Sequence, residues 1–467
     1  MPQAKTLPAA KGYDGPFSLF THALPIIARV LVRLSCLATL KLALMLPFIR
    51  TPSYHSKVIT PDFMTNVFRR KGILGGEERV ETLRVEVMEM GAIGAVERIY
   101  ITYSGLRPDS RPPATMIAKV LGTSVKDTIV GSLCPLSENE HRAYTHEVFT
   151  KKVKGLQPLV YHFDLSFYGV GLLLMEDLRE LRHIKSRDGA SLSDLTRVVE
   201  LCAKIHSRTL NQVPRPMVQE FQFHTYLLDH ISGTNANMAL TGPWSECMRA
   251  HPRLAHTMEL FLDYDNSDKL FVKMRGFGFR PTDSAALPKP FACLIHGDVR
   301  LDNCFFDDKT KTAKLVDWQV IMPRAPLLDI GWLLMDGSDE TLSVPSTEVL
   351  CSLPLNAAPP QEEAEACRAS VNVLLTAYLT TMSHELSQNT SYTGERPTMA
   401  YCQDMLPWLM LNDAFYMMVS VAQIFKCDPK TDMANPIVQT FLKYADRLEW
   451  LLRVFVPTLD FIQQSTV

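Results

Sequence analysis

Two short apolar stretches, each ending in a turn with acidic or amide side chains, constrain this sequence more than any other feature. The first runs from Leu294 to Asn303 (LIHGDVRLDN), and the second runs from Lys314 to Gln319 (KLVDWQ). An isolated His-Gly-Asp is most often a simple turn. The full H-G-D-x-x-x-x-N pattern, followed at a short distance by D-W with an apolar strand before each half, is much rarer and indicates a functional site.

The polar residues of these turns suit phosphoryl transfer, which requires little covalent chemistry from the protein. Asp298 is a carboxylate on a loop and suits the base that accepts a hydroxyl proton. Asn303 and Asp317 suit magnesium ligands, because Mg²⁺ prefers hard oxygen atoms and few protein contacts. His296 is expected to stabilise the loop through hydrogen bonds. The pattern therefore predicts an enzyme that transfers a phosphate group.

The order of the predicted elements indicates an α+β chain with two lobes. The first part is rich in strands, and its predicted elements are a helix at 58–72, strands at 83–90, 97–104 and 115–120, a helix at 138–153, and strands at 161–167 and 171–177. The later part is mainly helical, with strand-like pieces near 292–306 and 313–321. We therefore expect an N-terminal tail with a hydrophobic helix (1–56), a smaller lobe (57–178) and a larger lobe (179–467).

These motifs resemble those of the aminoglycoside phosphotransferase and choline kinase superfamily. Its two signature stretches are HGD at 296–298, which runs on to Asn303, and DWQ at 317–319. The stretch RLDN at 300–303, followed by LLDIGW at 327–332, is most similar to the ecdysteroid-kinase-like branch. It is also similar to the phosphotransferase domain that is fused to some acyl-CoA dehydrogenases.

The resemblance covers the chain from about Ile59 to the C-terminus. It implies a bilobal protein-kinase-like fold, with an antiparallel sheet and one main helix in the first lobe and a larger, mainly helical second lobe. It implies ATP and Mg²⁺ as cofactors. It also implies Asp298 as the base, Asn303 and Asp317 as magnesium ligands, and Asp329 as a structural support for the catalytic loop.

A kinase of this kind requires a lysine on the third strand and a glutamate on the next helix to hold the phosphates. Lys119 lies in the apolar strand ATMIAKV (114–120) and is the expected lysine. Glu140 matches the family's E-x-x-x-Y pattern and is the expected glutamate. Glu138 and Glu147 are alternative candidates for that role.

Two further nucleotide contacts are expected from the same lobe. Gly91 and Gly94 would form a phosphate loop, because glycines let backbone N–H groups approach phosphates. An ordinary hairpin explains these two glycines equally well. The strand LLLMEDL resembles the one that leads into the inter-lobe hinge, where the backbone of Glu176 and Leu178 would bind adenine. His206 is assigned no catalytic role.

We expect the chain to move the γ-phosphate of ATP to a hydroxyl group of a small molecule. A catalytically weak or inactive kinase-like binding module is one alternative, and a hydroxyacyl-CoA kinase is another. The presence of Lys119, Asp298 and Asp317 favours catalysis. No D-F-G or A-P-E follows Asn303, which disfavours a protein kinase. The acceptor does not follow from these motifs, since its contacts are expected from the helical region.

The segment 23–49 is strongly apolar and long enough to span a bilayer. Arg29, Arg33 and Lys41 interrupt it and fall within about a third of the helix circumference. A basic stripe of this kind suits a helix lying in the membrane interface, because a central charge in a spanning helix costs about 2.5–3.5 kcal/mol. A helix docked on the catalytic domain or on a partner is the other interpretation.

Charge and cysteine content limit the remaining possibilities. The net charge of −2 gives no support for a nucleic-acid partner. None of the ten cysteines forms a C-x-x-C pair, which favours reduced thiols in a cytoplasmic protein over a zinc or disulfide scaffold. The expected partners are therefore ATP and a small-molecule alcohol, with membrane association through residues 23–49. The sequence does not determine the oligomeric state.

Overall fold

A computed structural model describes residues 59–91, 94–121, 136–166, 170–213, 291–354, 357–424 and 436–456, together with Ala28, Leu31, Val32, Leu34 and Ser35. These residues form two compact units. The sheet unit comprises the described part of 12–181 with Val316–Val320, and the helical unit comprises Arg182–Leu315 and the chain from Ile321 onward. Apart from the five single residues, the hydrophobic helix predicted within 23–49 lies outside the described ranges. No helix in the described part of the chain combines the length and apolar character needed to cross a membrane.

The sheet unit is built on five antiparallel strands. They are β1 (Arg79–Gly91), β2 (Gly94–Ser104), β3 (Thr115–Leu121), β4 (Val160–Leu165) and β5 (Gly171–Glu176). Their order across the sheet is β1-β2-β3-β5-β4, and every neighbouring pair is antiparallel. The antiparallel sheet predicted for the first lobe is confirmed, and β3 lies at its centre.

Helix α1 (Pro61–Arg70) packs one buried face on the core of this sheet. Thr60 caps its N-terminus by accepting a hydrogen bond from Phe63 N–H at 3.2 Å, and proline occupies its first turn. Its core residues include Met64 and Phe68, which have no exposed surface. The helix predicted at 58–72 is confirmed with slightly shorter bounds.

The single helix predicted at 138–153 is wrong. Two helices occupy this stretch, α2 (Leu136–Thr145) and α3 (Glu147–Lys152), and His146 between them has extended backbone angles. Thr145 Oγ1 donates a hydrogen bond to the carbonyl of His141 at 2.6 Å. Back-bonding of this kind bends helices.

The helical unit contains five short strands and six helices in its described residues. The strands are β6 (Arg182–His183), β7 (Cys293–Ile295), β8 (Cys304–Asp307), β9 (Thr312–Leu315) and β10 (Met322–Arg324). The helices are α4 (Leu192–Ser207), α5 (Leu327–Leu334), α6 (Thr347–Ser352), α7 (Gln361–Gln388), α8 (Met399–Ile424) and α9 (Pro436–Phe455). The α+β class and the mainly helical second part predicted from the sequence are confirmed.

The strand predicted at 313–321 ends earlier than expected. β9 stops at Leu315, Asp317 adopts a left-handed backbone with φ of 64°, and Trp318–Val320 forms a 3₁₀ turn. The positive φ of Asp317 ends the extended backbone of the strand. Residues other than glycine rarely adopt this conformation. The interruption falls on one of the residues predicted to bind magnesium.

Candidate active site

Lys119 lies on the central strand of the sheet unit and contacts two carboxylates. Its side chain is 14% exposed, and its Nζ is 3.0 Å from Glu140 Oε1 and 2.6 Å from Asp317 Oδ1. Helix α2 supplies Glu140, whereas Glu147 forms an exposed pair with Lys151 on α3. Three residues predicted separately from the sequence therefore meet around one ammonium group.

Burial and charge act in opposite directions on this cluster. Burial alone would lower the pKa of Lys119, but the carboxylates of Glu140 and Asp317 outweigh it and raise the pKa above its ordinary value. Burial also raises the pKa of Glu140, whose side chain is 1% exposed, while the Lys119 ammonium opposes that rise. Lys119 therefore carries its charge at any physiological pH. Glu140 Oε2 makes no hydrogen bond within the described residues.

The turn that carries Asp317 is fixed from two sides. Gln319 Nε2 donates to Asp317 Oδ2 at 3.1 Å, and Asn139 Nδ2 on α2 donates to the carbonyl of Gln319 at 3.3 Å. Trp318 is fully buried and packs edge-on against Phe149, with ring centroids 5.3 Å apart. A non-glycine residue held at positive φ by such packing is typical of functional sites.

The other nucleotide residues predicted from the sequence lie at strand ends of the same unit. Gly91 is the last residue of β1 and pairs with Gly94, the first residue of β2. Residues 92 and 93 between them lie outside the described ranges, so the phosphate-loop role stays a prediction. Glu176 ends β5, and its backbone N–H donates to the carbonyl of Leu159 at 2.8 Å. Leu178 is buried two residues later.

Asp177 fixes the segment between Glu176 and Leu178. Its Oδ2 accepts a hydrogen bond from Arg98 Nε at 2.9 Å, and its side chain is 3% exposed. The N–H of Leu178 makes no hydrogen bond within the described residues. A backbone donor of this kind can bind an adenine ring, and the assignment of Glu176 and Leu178 stays a prediction.

In the helical unit, Asp329 on α5 holds the start of the loop that follows β7. Its Oδ2 accepts the N–H of His296 and its Oδ1 accepts the N–H of Gly297, both at 2.8 Å. Gly297 has φ of 81°, a conformation that glycine adopts without steric cost. These contacts are the ones that a structural support for the loop would make.

His206 lies behind Asp329 and is fully buried. Its Nε2 is 3.0 Å from Asp329 Oδ2, and its Nδ1 is 2.9 Å from the hydroxyl of Tyr378. Both ring nitrogens are thus used in the core of the unit. These contacts are those of a core residue, and the absence of a catalytic role for His206 stays a prediction.

Asp298 and Asn303 are joined by a side-chain hydrogen bond. Asn303 Nδ2 donates to Asp298 Oδ2 at 3.0 Å and to the Asp298 carbonyl at 2.9 Å. Arg300 Nε lies 3.3 Å from the same Oδ2, and the Asp298 charge raises the pKa of Arg300. The sequence motif marks Arg300 only by its similarity to two branches of the superfamily and does not predict its contact with the candidate base. The only sequence feature that indicates this contact is the position of Arg300 two residues after Asp298.

Asp336 is a fully buried carboxylate behind the second half of this loop. Its Oδ2 accepts the N–H of Leu301 at 2.5 Å, and its Oδ1 accepts the hydroxyl of Tyr444 at 2.7 Å. Burial raises the pKa of Asp336 to about 6, although the hydrogen bonds from Tyr444 and Leu301 act to lower it. Asp336 is not predicted from the sequence, since nothing local marks it beyond an acidic residue after an apolar helix.

Replacing Asp336 with asparagine is expected to remove part of the pH dependence of stability. The folded pKa of about 6 exceeds the ordinary value of 3.8, so the folded state binds this proton more tightly than the unfolded state. The associated stabilisation is complete below about pH 4 and is lost as the pH rises to about 6. Its size is on the order of 3 kcal/mol. Denaturant unfolding across this range should show that the free energy of unfolding of Asp336→Asn increases relative to that of the wild type as the pH rises. A difference that stays constant with pH would contradict the assignment.

Asp317 in the sheet unit and Asn303 in the helical unit each carry an oxygen of the type that Mg²⁺ prefers, and their role as magnesium ligands stays a prediction. Asp317 provides a carboxylate. The amide nitrogen of Asn303 donates to Asp298, and the Oδ1 atom of Asn303 makes no hydrogen bond within the described residues. No group of three or more His, Cys, Asp or Glu side chains is arranged for a metal in the part of the chain described. Magnesium in kinases uses one or two side chains together with phosphate oxygens.

Comparison with known proteins matches the chain to a family. The model of the ecdysteroid kinase-like family matches residues 92–345, which is more than half of the chain. No curated protein matches the chain.

Several solved structures are similar at low identity. An ethanolamine kinase from Plasmodium vivax is 12% identical, covers 80% of this chain and 84% of its own, and has a TM-score of 0.43. A choline/ethanolamine kinase family protein from Mesorhizobium loti is 13% identical, covers 82% and 93%, and has a TM-score of 0.44. An aminoglycoside phosphotransferase from Streptomyces rimosus, in complex with ADP and streptomycin, is 12% identical, covers 70% and 96%, and has a TM-score of 0.34. At these values none of the three bears on activity or substrate.

Proposed function

The chain belongs to the ecdysteroid kinase-like family, and we propose that it transfers the γ-phosphate of ATP to a hydroxyl group of a small molecule. The observation that carries this proposal is the contact of Lys119 Nζ with both Glu140 Oε1 and Asp317 Oδ1. A cation that is held between a helix glutamate and a second acidic residue matches the lysine–glutamate pair and metal-binding aspartate of kinases.

In this proposal the sheet unit binds the nucleotide. Lys119 contacts the phosphates, and Glu140 orients the lysine side chain. The backbone at Gly91 and Gly94 covers the phosphates, and the backbone of Glu176 and Leu178 binds adenine. The Arg98–Asp177 ion pair next to Glu176 supports the last assignment, because it fixes the backbone that the adenine would contact.

The helical unit supplies the base. Asp298 Oδ accepts the proton of the acceptor hydroxyl as the new O–P bond forms and the bond to the ADP oxygen breaks. Asn303 and Arg300 hold the Asp298 carboxylate in one orientation through the contacts at 3.0 and 3.3 Å. Magnesium, when bound to Asp317 and Asn303, would neutralise charge on the phosphates.

The acceptor is proposed only as an alcohol, and a screen of ATP consumption tests this function. The full chain would be incubated with ATP and magnesium alongside ecdysteroids, sterols, choline, hydroxyacyl-CoAs and aminoglycosides. We expect one class of alcohol to stimulate ATP consumption by the wild type. If every alcohol fails although ATP–magnesium binds, the chain is an inactive kinase-like binding module. Stimulation by hydroxyacyl-CoAs alone would make it a hydroxyacyl-CoA kinase.

Replacing Asp317 with alanine is expected to weaken ATP binding in magnesium by at least about tenfold, since even the loss of outer partners costs 10–100-fold in metal affinity. The loss should be much smaller in the absence of magnesium, because the removed group then acts only through Lys119. Calorimetric titration of ATP with and without magnesium measures both values. Equal losses in the two conditions would show that Asp317 does not act through the metal.

A further inference from the structure

Helix α9 (Pro436–Phe455) approaches the candidate catalytic loop from the far end of the chain. The match to the family model ends at residue 345, so α9 lies about a hundred residues beyond the matched region. Two of its side chains nevertheless contact groups that bind the loop backbone directly. Both contacts lie within the helical unit.

The first contact runs through Asp336. The hydroxyl of Tyr444 donates to Asp336 Oδ1 at 2.7 Å, and Asp336 Oδ2 accepts the N–H of Leu301 at 2.5 Å. Leu301 begins the 3₁₀ turn that ends at Asn303, the residue whose amide holds Asp298. One carboxylate therefore connects α9 to the turn between the candidate base and a candidate magnesium ligand.

The second contact runs through Arg447, whose side chain is 1% exposed. Its Nη1 donates to the carbonyls of Ser186 and Met335 at 3.1 and 3.2 Å. Ser186 Oγ in turn accepts the N–H of Asp302 at 3.3 Å. Met335 directly precedes Asp336. Arg447 therefore fixes the backbone next to both of the residues that bind the loop, Ser186 and Asp336.

We propose that α9 is a positioning element for the catalytic loop, acting through the chain Tyr444–Asp336–Leu301. This inference rests on the proposed function, because it assigns α9 the task of holding Asp298 and Asn303 in register. Asp329 fixes the start of the loop at His296 and Gly297, and the α9 contacts fix its second half. Tyr444 is a positioning residue and not a catalytic one, since its hydroxyl binds Asp336, which in turn binds the loop backbone.

A buried carboxylate is a weak device for stability alone. Apolar side chains of similar size often give equal or greater stability than buried ionic groups. Asp336 directs one oxygen to a backbone N–H of the loop and the other to α9. Because each oxygen binds one of the two segments, Asp336 can hold the loop backbone in a fixed position relative to α9. Small displacements of a reacting group are enough to slow a reaction strongly.

The test compares Tyr444→Phe with a matched control in the full chain. Tyr444→Phe removes only the hydroxyl that reaches Asp336. The control, Thr347→Val, removes a hydrogen bond of 3.0 Å between Thr347 on α6 and Asp446 of the same helix α9. Both variants lose one hydrogen bond to α9, but only the first affects the loop. Backbone hydrogen exchange at Leu301 and Asp302 and the kinetics of ATP consumption are measured for each.

We expect faster exchange at Leu301 and Asp302 in Tyr444→Phe, with kcat reduced on the order of tenfold and KM for ATP unchanged. Thr347→Val should leave the exchange of these amides and kcat at wild-type values. Unchanged exchange in Tyr444→Phe, or faster exchange with unchanged kcat, overturns the proposal. If the wild type consumes no ATP with any acceptor, the proposed function has failed. Hydrogen exchange alone then decides, by the same criterion, whether α9 holds the loop.

Discussion

Lys119→Met is expected to lower the free energy of unfolding by about 3–5 kcal/mol, which is the usual cost of removing one partner of a buried ion pair. The variant leaves the buried carboxylate of Glu140 facing Asp317 without the cation that both contact. Denaturant unfolding measures the loss. Lys151→Met is the matched control, because Lys151 and Glu147 form an exposed pair with 73% and 78% of their side chains accessible. We expect the control to lose less than about 1 kcal/mol.

The double variant Lys119→Met/Glu140→Gln separates stability from nucleotide binding. Replacing Glu140 with its neutral isostere removes the unpaired buried charge, so much of the lost stability should return. ATP affinity should stay low in both variants, because neither has a cation for the phosphates. If Lys119→Met has the wild-type free energy of unfolding, the ion pair is not shielded from solvent. Wild-type ATP affinity in the double variant would show that Lys119 does not bind phosphate.

Asp298→Asn is expected to reduce kcat by about 10²–10⁴-fold, the usual contribution of a general base. The affinity for ATP with magnesium should stay near the wild-type value, because Asp298 is assigned no contact with the nucleotide. Asparagine has the same shape and can still accept the hydrogen bond from Asn303 Nδ2, so the loop should keep its conformation. Steady-state kinetics with the acceptor found in the screen, combined with calorimetric titration of ATP, measures both values.

Asp302→Asn is the control for the base assignment. Asp302 lies on the same turn, and its carboxylate reaches Arg300 only at 4.0 Å, with 30% of its side chain exposed. It is the nearest alternative carboxylate along the chain. We expect kcat of Asp302→Asn to remain close to the wild type. An equal loss in the two variants would mean that Asp298 is not the specific proton acceptor.

Much of the fold was predictable because local patterns determine it. The strand around Lys119 has apolar neighbours on both sides, and the turn motifs at 296–303 and 317–319 have a spacing that few other folds share. These features predicted the α+β kinase-like fold and the family, and both are confirmed. The roles of the individual site residues stay predictions, although the structure brings Lys119, Glu140 and Asp317 into contact.

The choice of Glu140 over its alternatives required the structure. Glu138 and Glu140 are two positions apart and lie on different faces of a helix, but the sequence does not give the phase of that helix relative to the sheet. The break at His146 moves Glu147 to a second helix, where it pairs with Lys151. Helix phase and helix breaks depend on tertiary packing, which a local pattern does not contain.

The contacts that hold the catalytic loop could not be predicted from the sequence for a different reason. Tyr444 and Asp336 are 108 residues apart, and neither belongs to a recognisable motif. Asp317 adopts a left-handed backbone without a glycine to signal it. The membrane helix predicted at 23–49 lies almost wholly outside the described residues, so it remains a prediction.

Transfer of radiolabelled γ-phosphate from ATP is the most direct test of the central claim. The full chain is incubated with labelled ATP, magnesium and the stimulating alcohol, and the products are separated into phosphorylated alcohol and inorganic phosphate. We predict that the label appears on the alcohol with the wild type, and that it appears about 10²–10⁴-fold more slowly with Asp298→Asn. Label that appears only as inorganic phosphate, or that stays on ATP with every alcohol tested, would contradict the assignment of the chain as a small-molecule kinase.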